Sequence, residues 1–319
     1  MPELSTGWAK ALEPTILEYT QDGFAEHSDS TPEVFDVMNS QKGVIRFKDS
    51  FGPALIPTSS EGAATSGLDI TDGYETVARP TIFKGKIGIT EELVRWNQYD
   101  TILDRAKALG SAAIQTVNRY ANNVFINAFS TSYTEYGDSL PLCSTVHTRP
   151  DGGSTQSNSS TTSIALTEAN LETALIAMRE SKSGTGKTLA IGYNQNLVLM
   201  VPNALDKEAV IITGSTKRSG TPNNDLNWYS GKCSVYVNPW IGSDITDVYG
   251  NSGSDTAWFT LAKNVHGLKH IWDVQPAYKV DEDEDKYTMY TYCYMSMKSL
   301  WKHWYGVWGS QGTGAAYSS

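Results

Sequence analysis

Apolar side chains recur in two different rhythms along this chain, and the rhythms divide it. Leu103, Ala106, Leu109, Ala113, Val117, Tyr120, Val124 and Ala128 are spaced by threes and fours. That spacing places them on one helical face. Thr101 stands as a cap, with Asp104 three residues on at the reciprocal position. No Pro and a single Gly, Gly110, interrupt Ile102 to Ser130. The pattern predicts one helix of roughly 40 Å, a strut suited to a flat, extended molecule. A second helix is predicted from its cap Thr167 through Leu171, Ala174, Leu175 and Met178. A short third follows Pro202-Asn203, with Ala204, Leu205, Val210 and Ile211 as its apolar residues.

The other rhythm is alternation, the mark of strands. Val44 to Phe47 opens an extended stretch, and Thr81 to Ile89 closes it. Between them lie Gly52, Pro53, Pro57, Gly62, Gly67, Gly73 and Pro80. The expected form is a long two-stranded ribbon with little to bury. Such a ribbon is marginal in water, so it is mobile or a second molecule holds it. Leu189 to Val201, Cys233 to Asn238, Ala257 to Ala262, Tyr287 to Met297 and Leu300 to Trp308 also read as strands. Tyr290, Tyr292 and Tyr294 fall on one face of the Tyr287 strand, and Met289, Cys293 and Met295 on the other. Both faces are bulky, which predicts that both are covered. Residues 137–163 and 242–256 read as loops, and residues 309–319 as a small-residue tail. The first forty residues, with Pro2, Pro14 and Pro32, read as an arm ordered only by lying on something else.

The chain has 319 residues, 39% hydrophobic and 19% charged, which suits a packed protein of about two domains. Its net charge of −10 argues against a bare electrostatic grip on nucleic acid. Cys143, Cys233 and Cys293 are too far apart for a zinc ribbon or a redox pair. An odd number excludes a complete disulfide framework, so the expectation is free thiols in a reducing compartment. Met1 to Leu12 lacks the basic and apolar regions of a signal peptide, and no apolar run is long enough to span a membrane. No repeat of 20 to 50 residues is visible. Asn158-Ser159-Ser160 is a formal glycosylation sequon, read here as a polar loop.

Each motif that tempts a catalytic reading fails on spacing or order. Gly186-Lys187-Thr188 ends like a phosphate-binding loop, but the required first Gly is Ser181. The segment also follows a helix and precedes a strand, the reverse of what phosphate binding needs. A Gly-rich turn is the expectation. Asp281 to Asp285 resembles a calcium loop, yet its sixth and twelfth positions are Lys286 and Tyr292 rather than Gly and Glu. A solvated hairpin tip is expected. His266 and His270 would share a helical face, but their surroundings read as strand and turn. Glu91-Glu92 are adjacent and do not converge on one atom. Cys143 and His147 lack an identifiable orienting third group. Trp301, Trp304 and Trp308 read as core. No catalytic, cofactor-binding or metal-binding residue is assigned.

The order of parts resembles the major capsid proteins of tailed bacteriophages, the Hong Kong 97-type fold, and especially the Mu-like major head subunit family. Five segments carry the likeness: Lys84 to Leu93, Leu140 to His147, Met178 to Leu205, Val235 to Ala262, and Trp304 to Ser310. The resemblance implies an α+β fold with residues 1–43 as an N-terminal arm and 44–95 as the extended E-loop. It implies 96–139 as the peripheral (P) domain with its spine helix, 140–275 as a mixed α/β axial (A) domain, and 276–319 as C-terminal strands returning to the P domain. It also implies a non-enzymatic virion protein without cofactors, made in the bacterial host cytoplasm. Its copies would form hexamers and pentamers in an icosahedral shell around double-stranded DNA. Implied partners are a separate scaffold protein, a portal and cement or decoration proteins, with no membrane. The family's scaffolding domain is a long charged N-terminal helix, which is not seen here. Some members cross-link through an E-loop Lys, but Lys84 and Lys86 lie near that loop's base, and the chemistry is not carried over. The alternatives are a receptor- or glycan-binding structural module of a virion, presenting Trp240 and Trp301 to Trp308, and, further off, a P-loop NTPase.

Overall fold

A computed structural model describes residues 7–53, 55–62, 64–65, 67–68, 70–192, 196–217, 226–283 and 285–312. Part of the signal-peptide reading (residues 1–6), part of the expected strand at 189–201, Glu284 of the acidic run and the tail from Thr313 lie outside them. The helices are α1 (Gly7–Ala25), α2 (Thr31–Val34), α3 (Glu91–Arg95), α4 (Tyr99–Ile126), α5 (Glu168–Glu180) and α6 (Asp206–Gly214). The strands are β1 (Asp36–Asn39), β2 (Ile45–Phe51), β3 (Thr71–Ala78), β4 (Thr81–Thr90), β5 (Leu197–Val201), β6 (Cys233–Val237), β7 (Trp258–Ala262), β8 (Leu268–Asp283), β9 (Thr288–Trp301) and β10 (Val307–Ser310).

The chain divides into two compact units. One gathers Met1–Val44, Arg79–Ala121 and His270–Ser299; the other gathers Ile45–Ala78, Asn122–Lys269 and Leu300–Ser319. The first unit is built on a sheet of order β1-β8-β9-β4. Met289, Cys293 and Met295 on β9 project into its core. Met289 meets Ile16, Ile89, Ile102 and Ala106. Cys293 meets Leu109 and Ala113. Met295 meets Ile114, Val117 and Tyr120. The helical face read from the sequence is therefore the face that covers this sheet.

In the second unit the sheet order is β10-β7-β5-β6, with β5 and β6 parallel and the other pairs antiparallel. Every residue of β5, β7 and β10 is buried, which fits their continuous apolar runs. The α5 side buries Leu171, Ala174, Leu175 and Met178, and Thr167 caps it by accepting from the Asn170 amide, as its sequence predicts. Trp301, Trp304 and Trp308 are core residues, with Trp308 5.0 Å from Trp258 between ring centres.

Several expectations are corrected. The strand at Thr81–Thr90 does not close the ribbon. It pairs with β9 over ten residues, while β2 pairs with β3. Alternation specifies a strand but not its partner. The arm is helical over Gly7–Ala25 despite Pro14. Its buried stripe passes through Ile16 and Thr20 to the small residue Gly23, so hydrophobicity alone does not reveal it. The long helix begins at Tyr99, which places Thr101 inside the first turn rather than at the cap. In α6 the buried residues are Ala209, Ile212 and Thr213, whereas Val210 and Ile211 are exposed. The last two predicted strands are redrawn too: β9 continues to Trp301, and Trp304 sits in the turn before β10. On β9 only the Met and Cys face is fully covered; Tyr290, Tyr292 and Tyr294 are half-buried.

His270 on β8 is fully buried, with Nδ1 2.8 Å from Ser299 Oγ and its ring against Phe35 and Trp272. Burial lowers its pKa to about 4, against the weaker opposing pull of Asp29. A depressed folded value means that the unfolded chain takes up the proton first. Stability conferred by the neutral ring is therefore complete above about pH 6.5 and is lost as pH falls toward 4. The expected loss at pH 5 is about 2 kcal/mol. Urea unfolding at pH 7 and pH 5 checks this: His270→Gln should lose about 2 kcal/mol less than the parent between those two values.

Candidate assembly surface

The β2–β3 ribbon belongs to the second unit, and its two ends behave differently. At the root its contacts are with its own chain. Tyr136 Oη donates to Asp49 Oδ2 (2.9 Å), and burial raises the pKa of both groups. Tyr74 stands edge-on to Tyr136, 5.5 Å between ring centres, and its hydroxyl is 2.8 Å from Thr148 Oγ1. Phe51 packs edge-on to Tyr305 at 6.2 Å. Its ring also fills the space over Gly184, where a Cβ would lie 2.4 Å from Phe51 Cε2. The expectation of a ribbon wholly without a support of its own is corrected: the root is clamped.

Beyond Phe51 the support ends. Leu55, Ile56 and Ile70 are 78%, 83% and 65% exposed, and no regular strand spans Gly52 to Ile70 among the described residues. Farther back, Arg46–Glu75 (2.8 Å) and Lys48–Asp72 (2.7 Å) tie the two strands on their wet face. Exposed pairs of this kind contribute at most about 1 kcal/mol, so the root contacts carry the ribbon.

The residues weighed for chemistry fall into structural positions. Gly184 and Gly186 belong to the turn between α5 and β5. There Ser183 N–H donates to the Lys187 carbonyl and Gly186 N–H to the Ser183 carbonyl. Two of the amides that would cradle a phosphate are thus used inside the turn, and the glycine at 184 exists to seat Phe51. His266 lies in the turn before β8 and His270 within the strand, so helical spacing does not apply to them. Asp281 and Asp283 end β8 at the turn into β9. Glu91 pairs with Arg95 at 3.3 Å. Trp301, Trp304 and Trp308 are buried and present no face to a sugar.

Cys143 and His147 require a correction. An orienting carboxylate does exist: Asp138 Oδ2 lies 2.7 Å from His147 Nδ1, both side chains being fully buried. Nε2 lies 3.1 Å from Asn158 Oδ1. Asn158 Nδ2 donates to the Leu142 and Val307 carbonyls (2.7 and 3.2 Å), which turns its oxygen toward the imidazole, so Nε2 is the donor. Both ring nitrogens are thereby engaged, and neither is left to take a proton from Cys143. Burial pushes that thiol's pKa far up. The sequon residue is an internal staple, and the cluster is structural. Asp138 lies nine residues before His147 in an irregular loop, with no periodic signal to connect them.

Residues 73–309 match the family model for phage capsid protein. The chain belongs to the phage capsid protein family. This capsid protein is similar in fold to solved shells. One is the capsid of Myoviridae phage XM1, with a TM-score of 0.53 and 10% identity over 89% of this chain and 92% of that one. Another is the mature capsid of bacteriophage PhiM1, with a TM-score of 0.53 and 8% identity over 87% and 84%. The capsid of cyanophage P-SCSP1u gives a TM-score of 0.51 and 14% identity over 90% and 88%. No curated protein matches the sequence significantly. The fold is the α+β Hong Kong 97-type, and the family makes the chain a capsid protein of the virion. No helix among the described residues is long and apolar enough to cross a membrane.

Proposed function

We propose that this capsid protein assembles into hexamers and pentamers that close into an icosahedral shell around double-stranded DNA, with no enzymatic step of its own. The observation that carries the reading is the ribbon: a root clamped by Tyr136, Gly184 and Tyr305, and a tip whose Leu55, Ile56 and Ile70 are exposed. Unburied apolar side chains on a braced extension are suited to a neighbour's surface. Repeated head-to-tail contacts then close into rings.

In this reading 1–43 is the N-terminal arm, 44–95 the E-loop segment, whose ribbon is β2–β3 and whose last strand β4 joins the sheet with β9, 96–139 the P domain, 140–275 the A domain and 276–319 the strands returning to the P domain. The division into two compact units supports a P-like and an A-like body. Partners in the same reading are a scaffold protein during assembly, a portal and cement proteins, with synthesis in the bacterial host cytoplasm. The net charge of −10 makes contact with packaged DNA loose and mediated by counterions.

Electron microscopy of the purified protein is expected to show closed polyhedral shells, and particles that stay monomeric at every concentration would overturn the reading. Gly184→Val should leave the secondary structure unchanged by circular dichroism while displacing Phe51. Each contact that loses about 1.4 kcal/mol weakens roughly tenfold, so the variant should need higher concentration to close shells.

A further inference from the structure

Inside the second unit, a cavity of about 170 Å³ lies where the end of α4 meets β7. Three rings wall it: Phe125 from the last turn of α4, Phe129 just beyond that helix, and Phe259 from β7. Phe125 meets Phe259 edge-on, 5.2 Å between ring centres, and Phe129 stacks on Phe259 at 5.7 Å and 22° from parallel. Each ring is held by the next, so none swings in to fill the space.

The loop from Ile241 to Ala257 completes the wall and is fixed as well. Asn127 Nδ2 donates to Asp247 Oδ2 (2.7 Å), which ties the loop to the end of α4. Ser254 N–H donates to the Ile241 carbonyl (2.8 Å). Ser254 Oγ accepts from the Thr256 and Ala257 amides at 3.2 Å each. Gly253 is pressed so close that a Cβ there would lie 2.3 Å from the Ile241 oxygen. Walls held in this way keep a space open and spare a ligand the cost of ordering them.

We propose that this cavity binds one small neutral molecule, a single ring with a hydroxyl or similar polar end. Size limits the ligand first. Sites for larger, drug-sized molecules begin near roughly 300 Å³, whereas an apolar cavity of about 150 Å³ takes one benzene. Chemistry limits it next. Ile126, Ile241 and Ala257 add aliphatic surface to the three rings, and no charged side chain among the described residues lines the cavity. An ion would lose its water there without a counter-charge. Ser252, which is exposed, and Gln311, which is half-buried, stand on the solvent side and meet the polar end. The site lies within one chain, so binding needs no assembly and does not depend on the shell reading.

Fluorine NMR of para-fluorobenzyl alcohol added to the purified full chain tests the proposal. Its resonance should respond saturably, at one site per chain, with a Kd on the order of 1 mM. Para-fluorobenzoate should bind weaker by roughly tenfold or more, because its charge finds no partner. Ala257→Leu fills the cavity and Ile126→Trp blocks its mouth, and each should weaken binding by roughly tenfold or more. Filling a real void does not destabilise, so Ala257→Leu should keep or raise the thermal midpoint of the unliganded protein. Response without saturation, equal affinity for the carboxylate, or undiminished binding in either variant would overturn the site. A clear fall in the midpoint of Ala257→Leu would overturn it too, since the space would not be there to accept the side chain.

Discussion

His147→Ala is expected to lower the unfolding free energy by about 3–5 kcal/mol, the sum of the cavity left by a large buried side chain and a buried hydrogen-bonding partner left unsatisfied. The imidazole occupies a fully enclosed position between Asp138 and Asn158 and lies flat on Trp304, 4.5 Å between ring centres and 10° from parallel. Removing it leaves the buried Asp138 carboxyl without its 2.7 Å partner. It also opens a cavity against the indole. Asn158 is held independently by two carbonyls and by the Ser144 amide, which donates to its Oδ1 at 2.8 Å. Damage should therefore centre on Asp138 and Trp304. Urea unfolding followed by tryptophan fluorescence measures the loss. Cys143→Ala is the control: its thiol takes part in no hydrogen bond to the pair, so it should cost only the transfer of a small buried group, about 1 kcal/mol. If His147→Ala cost no more than that control, the cluster would not brace the loop.

Much of this architecture is legible in the residues, and the parts that are not share a cause. The face of α4, the cap and core of α5, and the runs forming β5 and β7 follow from the local pattern, because local burial fixes them. Pairing does not follow. β4 alternates like a ribbon strand, and only its ten-residue pairing with β9, far along the chain, reveals its sheet. The same limit hides the clamp at the ribbon root, where Asp49, Phe51, Tyr136 and Gly184 come from three separated segments. Gly184 lies between Ser181 and Gly186, inside the segment that resembles a phosphate loop. Its actual requirement is steric, since a phenyl ring occupies the place of its side chain. The exposed apolar tip was legible as a segment rich in Gly and Pro with little to bury, but the clamped root that presents it was not.

Gly110→Ala sets two effects against each other, and the geometry decides the sign. Gly110 is the single glycine inside α4, and in an isolated helix alanine there would be favoured by about 1 kcal/mol. A Cβ at this position would lie 1.9 Å from the Thr20 carbonyl oxygen and 2.6 Å from the Phe24 nitrogen of α1. On the other side, a Cβ on Gly23 would lie 2.0 Å from the Lys107 carbonyl oxygen. The two glycines thus form a crossing where backbone meets backbone, and no side-chain rotation relieves the clash. The helices must separate, which exposes Ile16 and Thr20, both fully buried. Losing one buried isoleucine contact and straining the crossing costs about 3–5 kcal/mol, well above the gain in helix propensity. Thermal unfolding should show a lowered midpoint for Gly110→Ala, with faster hydrogen exchange across Gly7–Ala25 and little change in β5 to β7. Gly23→Ala should reproduce the pattern from the opposite face. A midpoint raised by the added methyl would mean that the arm helix does not rest on α4.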